Sequence, residues 1–537
     1  MIQADDIYLR FSAHLAKNHS FHFPTYLKKF GALKTHLDRM NFVFTDLKKL
    51  DWLFKRDEKT DAAAVEHRKK GNIFYQLDDY RNALDCYTAS IMTAKSVEVL
   101  ALAYGNRSAA LFKLNLYREC LTDIERALQN GYPDHLKPKL IARRRYCEVQ
   151  QVEPKKYYQP PPKISESERN PLIQSAKNCV KIVKNVKWGR HVVATRDIKV
   201  GEVLAVESPY ASMIFKDAFV HCQECLDLCY NPIPCDKCTQ TLYCNTTCKD
   251  KAFSYHQYEC PILFSLSSSI VDVVRRVVLK TVLVARNEWN NWNADSDRPN
   301  EEYRSDRFKE ISNLLTHADS RSQDDLLAGT SVACQFYYLL KNHTSFLKGG
   351  INEDRLKEIL LIMVLISKTN IVDINKLSPD LKMETIGNAI YSFCNLFNHS
   401  CWPNVRKYFH GNTIVLRAIN AIKKGEQCFV NYGLNYANSP LEFRQQVFMT
   451  TNFFICTCRP CQENWSTLSE VQSFFSLAIQ NRLKSADMNQ ARNELQQVLR
   501  WAKIAEEKYP TGVTGHDHEI KNLLHICFSI FGNRGQI

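Results

Sequence analysis

Two kinds of hydrophobic pattern divide the chain. Apolar side chains recur at the period of a helix in VVRRVVLKTVLVA (273–285) and RLKEILLIMVLI (355–366), so residues 262–375 are predicted to be mainly helical. The helical period returns from about residue 465, and it weakens after residue 510.

Apolar and polar residues alternate around glycine turns in two other segments. These are GRHVVATRDIKVGEVLAVE (189–207) and NTIVLRAINAIKKGEQCFVNYG (412–433). Alternation over a few residues between turns favours short, half-buried strands. The sequence therefore predicts helical regions around small sheets, the α+β class.

Residues 60–150 contain an internal repeat. KKGNIFYQLDDYRNALDCYTASI (69–91) superimposes on NRSAALFKLNLYRECLTDIERAL (106–128) at a shift of 37 residues, which maps Tyr80 onto Tyr117. Small residues recur where two packed helices need a close approach: Gly71, Ala83, Ser90, Ser108 and Ala127. The segment resembles tetratricopeptide (TPR) repeats, which stack and offer a concave surface to a peptide. Two unrelated amphipathic helix pairs are the alternative interpretation.

The length of 537 residues exceeds what one hydrophobic core supports, so several domains are expected. The prolines of YYQPPPK (157–163) favour an extended spacer and a domain boundary after the repeats. The longest apolar run, ILLIMVLIS (359–367), is too short to span a bilayer, and MIQADDIYLR (1–10) has no signal-peptide core. We expect no membrane association and a cytoplasmic location. The sequence leaves nuclear entry open.

The formal net charge of +14 raises the question of a nucleic-acid partner. Zinc-bound thiolates, if present as described below, reduce this charge to about +9. Basic residues cluster in HRKK (67–70) and KPKLIARRRY (137–146), and charge runs on helices are usually solvated faces. We therefore do not expect direct nucleic-acid binding.

Eight metal-ligand residues lie between positions 222 and 260, in the pattern C-x2-C-x9-C-x2-C-x5-C-x3-C-x7-H-x3-C. They are Cys222, Cys225, Cys235, Cys238, Cys244, Cys248, His256 and Cys260. Gaps of two or three residues let paired ligands hold one ion, and eight ligands complete two tetrahedral zinc sites. Cys229 is an additional thiol outside this pattern.

A second cluster is formed by Cys456, Cys458 and Cys461, in the pattern C-x-C-x2-C. Three thiolates leave one corner of a tetrahedral zinc site unfilled. Cys401, in the polar stretch FNHSCWPN (397–404), is the candidate for the fourth ligand. Three structural zinc ions are therefore expected.

These motifs together resemble the SET-and-MYND (SMYD) family, in the branch that carries TPR repeats. GRHVVATRDIKVGEVL is similar to the first half of a SET domain, and NHSCWPN with IKKGEQCFVNYG and the C-x-C-x2-C cluster is similar to the second half with its post-SET zinc. The segment 222–260 resembles a MYND finger. The resemblance implies that Cys222, Cys225, Cys244 and Cys248 hold one zinc ion, and that Cys235, Cys238, His256 and Cys260 hold the other.

The expected fold is thus a multidomain α+β chain, in which a small-sheet SET domain is split by a MYND finger and a helical insert. The predicted boundaries are an N-terminal helical segment 1–58, TPR-like repeats 59–156, a linker 157–179, a first SET part 180–221, the finger 222–260, an insert 261–375, a second SET part 376–435, a post-SET segment 436–465 and a C-terminal helical region 466–537.

The resemblance also assigns roles to single residues. It implies methyl transfer from S-adenosylmethionine to a protein lysine, histone or non-histone, with Tyr432 as the catalytic tyrosine. The implied cofactor-binding residues are Gly189, Arg190, His191, Asn370, Asn398, His399, Tyr432 and Phe454. A dry aromatic channel would disfavour the lysine ammonium ion, so no dedicated strong base is needed.

A different class of function is left open. His191 stands where many SET domains have glycine, and Asn452 stands where an aromatic residue is common; either change could weaken cofactor binding. The chain would then be a non-catalytic adaptor that recruits partners. In both cases we expect a monomer with protein or peptide partners at the repeats and the finger. A DNA-reading finger is disfavoured because acidic residues balance its lysines.

Overall fold

The structure is a computed structural model, described here for residues 6–17, 23–50, 54–55, 57–150, 160–266, 270–288, 302–468, 474–484, 488–508 and 515–534. Residues 157–159 of the predicted spacer lie outside these ranges. None of the helices in the described ranges is both long and apolar enough to cross a bilayer.

Three N-terminal helices precede the repeats: α1 (Asp6–Lys17), α2 (Phe23–Gly31) and α3 (His36–Leu47). Thr35 caps α3 by accepting a hydrogen bond from the Asp38 backbone nitrogen at 3.0 Å. Their buried side chains, including Phe30 and Val43, join one hydrophobic core with helices from residues 323–370. The N-terminal segment therefore packs on distant parts of the chain.

The repeat region consists of α4 (Asp61–Gln76), α5 (Tyr80–Thr93), α6 (Val97–Lys113), α7 (Tyr117–Gln129) and α8 (Lys137–Val149). Tyr80 begins α5 and Tyr117 begins α7, so the 37-residue shift relates two helix pairs. A Cβ atom at Gly71 would lie 2.5 Å from the Tyr87 ring. Glycine at this position therefore permits the close approach of α4 and α5.

A buried ion pair lies between α6 and α7. Arg107 Nε donates to Asp123 Oδ2 at 2.6 Å, and both side chains are fully buried. Arg126 donates to the same carboxylate at 2.9 Å and to the Asn231 carbonyl at 2.7 Å. This network connects the repeats to the cysteine-rich segment.

Strands from both sides of the cysteine-rich segment and the helical insert form the central sheets. The elements in chain order are β1 (Val180–Asn185), β2 (Gly189–Ala194), β3 (Val203–Glu207), β4 (Ala211–Ile214), β5 (Ile233–Pro234), β6 (Leu242–Tyr243), α9 (Thr246–Glu259), α10 (Ile270–Val284), α11 (Phe308–Ser312), α12 (Gln323–His343), α13 (Glu353–Asn370), β7 (Ile371–Leu377), β8 (Met383–Ile390), β9 (Asn398–His399), β10 (Val405–His410), β11 (Thr413–Ala418) and β12 (Phe429–Val430). The sheets have the orders β1-β2, β10-β11-β3, β4-β8-β7 and β5-β6, all antiparallel, while β9 and β12 are parallel.

Two pairings join the separated halves: β3 with β11, and β4 with β8. At the end of β3, the buried Glu207 carboxylate accepts hydrogen bonds from the backbone nitrogens of Ser392, Phe393 and Cys394 at 2.8–2.9 Å. Burial raises the pKa of Glu207, and these donors offset part of that effect. The carboxylate thereby fixes the loop that leads to β9.

The last helices are α14 (Leu441–Val447), α15 (Arg459–Gln462), α16 (Phe474–Lys484), α17 (Met488–Lys508) and α18 (Gly515–Ile530), with a π-helical turn over Phe448–Asn452. Leu524 and Phe528 of α18 share a core with Tyr408 and Val415 of the sheet β10-β11-β3. The weakly patterned end of the sequence thus contributes a helix that covers this sheet.

Replacing Asp123 with alanine should lower the free energy of unfolding by about 3–5 kcal/mol, because Arg107 would be left as a buried, uncompensated charge. Urea denaturation followed by circular dichroism measures this change. Asp134→Ala is the matched control, since that carboxylate pairs with Lys137 on the surface, and it should leave the transition nearly unchanged. Equal transitions for both variants would contradict the buried-pair interpretation.

Candidate active site and metal centres

The predicted metal ligands meet in three groups. In each group the four ligand atoms all lie within 4.8 Å of one another. The groups are Cys222, Cys225, Cys244 and Cys248; Cys235, Cys238, His256 and Cys260; and Cys401, Cys456, Cys458 and Cys461. Cys229 lies outside them, with its sulfur 3.7 Å from Asn231 Oδ1.

The spacing of the ligand atoms fits zinc. A zinc–sulfur bond of about 2.3 Å places two sulfurs of a tetrahedral site about 3.8 Å apart. Sulfur pairs in the three groups have this spacing: Cys225–Cys244 at 3.8 Å, Cys235–Cys260 at 3.8 Å and Cys401–Cys461 at 3.6 Å. Each group therefore places its four donor atoms at the spacing that zinc requires.

Charged side chains support two of these groups from outside. Glu259 Oε1 lies 2.9 Å from His256 Nδ1, which leaves Nε2 facing Cys235 Sγ at 3.2 Å. A carboxylate on the outer nitrogen fixes the orientation of a metal-binding histidine. In the third group, the fully buried Arg444 donates to Cys461 Sγ at 3.6 Å. Its positive charge would offset the net negative charge of four thiolates around one divalent ion.

His399 connects the third cysteine group to Tyr432. Its Nδ1 accepts a hydrogen bond from the Tyr432 backbone nitrogen at 3.0 Å, and its Nε2 lies 3.3 Å from Cys401 Sγ. Burial lowers the pKa of His399 to about 4, so the ring is neutral and carries its proton on Nε2. Both ring nitrogens are therefore engaged inside the protein.

Tyr432 is held at two points while part of its ring stays open. Its hydroxyl donates to the Phe397 carbonyl at 2.9 Å, and burial of this hydroxyl raises the pKa of Tyr432. The side chain is nevertheless 41% exposed, so the ring borders open space. The Phe454 ring stands edge-on to it at 6.4 Å and stacks on Phe448 at 5.2 Å. Phe448 and Phe454 thus form an aromatic wall on one side of the fixed Tyr432 phenol.

The turn between β1 and β2 lies beside this wall. Asn398 Nδ2 donates to the Trp188 carbonyl at 3.1 Å, immediately before Gly189. Gly189 has φ of 62°, and no atom lies within 4 Å of where a Cβ would stand. Arg190 reaches the Asn313 carbonyl at 2.5 Å. The buried His191 ring lies with Nδ1 3.0 Å from the Gly189 carbonyl, so this side chain points into the protein.

Asn370 approaches the same region from the end of α13. Its Nδ2 donates to the carbonyls of Leu315 at 3.0 Å and Ile366 at 2.9 Å. The backbone carbonyl of Asn370 accepts a hydrogen bond at 2.8 Å from Nδ2 of Asn395, which lies in the loop before Phe397. The predicted cofactor residues therefore come from five chain segments that adjoin one another.

Comparison with known proteins identifies relatives of this chain. The SET domain family model matches residues 189–433. Protein-lysine N-methyltransferase SMYD4 of Danio rerio is 24% identical over 502 residues, which cover 76% of this chain and 66% of the relative. Human SMYD4 is 23% identical over 544 residues, covering 75% and 67% respectively. N-lysine methyltransferase SMYD2-A of Xenopus laevis is 26% identical over 281 residues, covering 51% and 58%.

The chain thus contains a match to the SET domain and is similar to the SMYD4 and SMYD2 proteins. It spans about two thirds of the length of the SMYD4 relatives. A solved SET domain of LSMT, bound to lysine and AdoHcy, is 13% identical; the match covers 66% of this chain and 85% of that chain, with a TM-score of 0.23.

Several residues of this candidate site could not be identified from the sequence. The loop Asn313–His317 contacts Arg190 and Asn370, and the His317 ring stacks on Phe453 at 5.2 Å. It lies in the helical insert and carries no motif, so no local signal marks it. Trp188 immediately precedes Gly189 in the turn between β1 and β2. Its place next to this predicted cofactor residue is the feature of the sequence that could have identified it. Arg444 lies in α14, where a single arginine looks like any surface charge.

Glu259→Gln should weaken zinc binding at the second cysteine group by about 10- to 100-fold, because the neutral amide no longer polarises His256. Competition with a chromophoric chelator measures the dissociation constant. Asp236→Asn is the matched control, because this exposed acid of the same segment pairs with Lys249 rather than with a ligand. Equal chelator sensitivity of the two variants would contradict the assigned role of Glu259.

Proposed function

We propose that this protein is an S-adenosylmethionine-dependent protein-lysine N-methyltransferase of the SMYD family. The observation that carries the proposal is the position of Tyr432, fixed by His399 and Phe397 and open along its ring beside an aromatic wall. The SET match and the activities named for the SMYD4 and SMYD2 relatives support the same function.

The chain offers suitable groups for the cofactor. S-adenosylmethionine supplies a methyl group activated on a positively charged sulfur. The open backbone at Gly189 permits close approach, and Asn398, Asn370 and Phe454 would provide polar and aromatic contacts. Because the ring nitrogens of His399 are engaged, we propose that its backbone, and not its ring, faces the cofactor.

Tyr432 would orient the lysine amine rather than deprotonate it. Burial raises the pKa of the phenol, so the hydroxyl stays protonated, donates to the Phe397 carbonyl and offers its lone pairs as acceptors. A lysine amine must be neutral to accept a methyl group, and the aromatic surroundings disfavour its charged form. Positioning and exclusion of water would then supply most of the rate enhancement.

The remaining parts would select protein substrates. We propose that residues 222–260 are a MYND finger with two zinc ions, that the third cysteine group holds one more, and that α4–α7 are TPR repeats. The repeats and the finger adjoin through Arg126 and Asn231, so they would present one continuous surface to a partner.

Tyr432→Phe should reduce methyl transfer by about 100-fold, because the hydroxyl that fixes the geometry of the amine is lost. Transfer of labelled methyl groups to a protein extract measures activity, and calorimetry should show S-adenosylmethionine binding within threefold of the parent protein. Tyr436→Phe is the matched control, since that buried hydroxyl has no hydrogen-bond partner among the described residues. Unchanged labelling by Tyr432→Phe would refute the assignment, and a zinc-loaded parent that binds no cofactor would favour the adaptor function.

Cys401→Ser should lower the zinc content from three ions per chain to two, because the third group loses one of its four ligands. Inductively coupled plasma mass spectrometry of purified protein gives the count. Cys229→Ser, which changes a cysteine outside the three groups, should retain three ions. A parent protein with two ions, or a Cys401→Ser protein with three, would contradict the third site.

A further inference from the structure

Strand β10 carries two adjacent basic residues, Arg406 and Lys407. Arg406 stands directly opposite Arg417 of β11, so two arginines share one face of the sheet. Tyr408, two residues after Arg406, lies on the same face and stacks on Phe528 of α18 at 5.9 Å. Arg406 therefore lies on the face of the sheet that α18 covers, and Lys407 lies on the opposite face.

The guanidinium group of Arg406 has no anionic partner among the described residues. Its Nε is buried without a hydrogen-bond partner, and burial lowers its pKa, although an arginine stays charged near neutral pH. Burial and the charge of Arg406 lower the pKa values of His518 and His525, so two imidazoles of α18 lie close to it. The nearby Asp517 pairs with Lys521 at 2.5 Å. An anion from outside the chain would stabilise Arg406.

Lys407 lies close to the candidate active site. Asn404 connects the start of β10 to the segment before Tyr432, because its Oδ1 accepts a hydrogen bond from the Phe429 backbone nitrogen at 2.7 Å. Burial is the main cause of the low pKa of His399, and the positive charge of Lys407 contributes to it. The same His399 ring accepts the hydrogen bond from the Tyr432 backbone. Lys407 is thus within electrostatic range of the residues that fix Tyr432.

Other basic residues around the central sheets have acidic partners. Lys423 pairs with Asp197 at 3.3 Å, and Lys216 pairs with Glu384 at 3.1 Å. The two basic residues of β10 have no such pair in the part of the chain that the structure describes. Positive charge is therefore left uncompensated between α18 and the candidate active site.

We propose that Arg406 and Lys407, here called the basic pair, select protein substrates that carry acidic side chains near the methylated lysine. The inference rests on the proposed methyltransferase function and names a class of substrate for it. The cofactor is proposed to lie at the Gly189 turn, so the region between Tyr432, β10 and α18 is available to the substrate.

The chemistry of the basic pair suits carboxylates. A guanidinium group binds a carboxylate through two parallel hydrogen bonds, and an ammonium group binds it as a point charge. An extended peptide directs successive side chains to opposite sides, as β10 itself does. Acidic side chains on the two sides of a substrate peptide can therefore meet Arg406 and Lys407 separately.

The sequences around methylated lysines give the first test. A protein extract is incubated with the full, zinc-loaded chain and labelled S-adenosylmethionine, and mass spectrometry locates the labelled lysines. Asp or Glu should occur within about three residues of a labelled lysine at least about twice as often as near unlabelled lysines of the same proteins. In a synthetic peptide copied from a strongly labelled acidic site, replacing the acids with Asn or Gln should raise KM about tenfold and leave kcat within about twofold.

Two variants and a matched control locate the contact. Arg406→Gln and Lys407→Gln should each raise KM for the acidic peptide about fivefold or more, and leave KM for the neutral peptide within about twofold. Lys423→Gln removes a surface charge that pairs with Asp197, and it should keep the acidic preference. Turnover of the neutral peptide, with circular dichroism and zinc content, verifies the fold of each variant.

The outcomes separate this inference from the proposed function. Labelling without an acidic preference, or a preference that survives both substitutions, would overturn the inference and leave the methyltransferase function intact. Loss of S-adenosylmethionine binding in either variant would assign the basic pair to the cofactor and also overturn it. An extract without labelled lysines would overturn the methyltransferase function, and this inference with it.

Discussion

The candidate active site depends on the meeting of four sulfur atoms from two distant segments. Cys401 lies in the loop after β9, and its partners belong to the C-x-C-x2-C segment some sixty residues later, with Cys401 Sγ 3.6 Å from Cys461 Sγ. His399 lies between this cluster and the backbone of Tyr432. A metal ion held by these thiolates would fix the loop, the histidine and the phenol in one rigid arrangement, because each group is hydrogen-bonded to the next.

The Glu207 carboxylate also connects distant segments of the chain. It comes from the first half of the split domain and holds the loop that carries Phe397, whose carbonyl accepts from Tyr432. The site is thus fixed from two sides, by the buried Glu207 side chain of the first half and by the cysteine group of the second. Contacts from both halves of the split domain therefore define the position of Tyr432.

Local spacing was sufficient to predict the clusters of metal ligands, the repeated helix pairs and the short strands, whereas the division of residues 222–260 into two ligand sets came from the resemblance to a MYND finger. Ligands in turns and on one helical turn, such as Cys235 and Cys238, come together whatever the remaining fold. The pairing of Cys401 with a distant trio also followed, because three thiolates require a fourth. The orientation of the His399 ring could not be predicted from the sequence, because it depends on contacts with the Tyr432 backbone nitrogen and with Cys401 Sγ. The loop Asn313–His317 and the buried Arg444 are likewise defined only by tertiary contacts.

The two basic runs also show that the sequence does not indicate contacts between helices. HRKK and KPKLIARRRY read as solvated helix faces, and this holds for Lys70 and Arg144, which have exposed acidic neighbours. Arg143 differs from them because α8 packs with this side chain donating to Ser108 Oγ and to the Gly105 carbonyl of α6. A pattern along one helix cannot show this, because the distinction arises between helices.

Anomalous scattering from crystals of the full chain, recorded above and below the zinc absorption edge, tests most directly whether a zinc ion joins Cys401 to the C-x-C-x2-C segment. We expect a zinc peak enclosed by the sulfurs of Cys401, Cys456, Cys458 and Cys461, with the His399 ring between this site and Tyr432. A map without zinc at this position, or with the Cys401 sulfur turned away from the other three, would contradict the account.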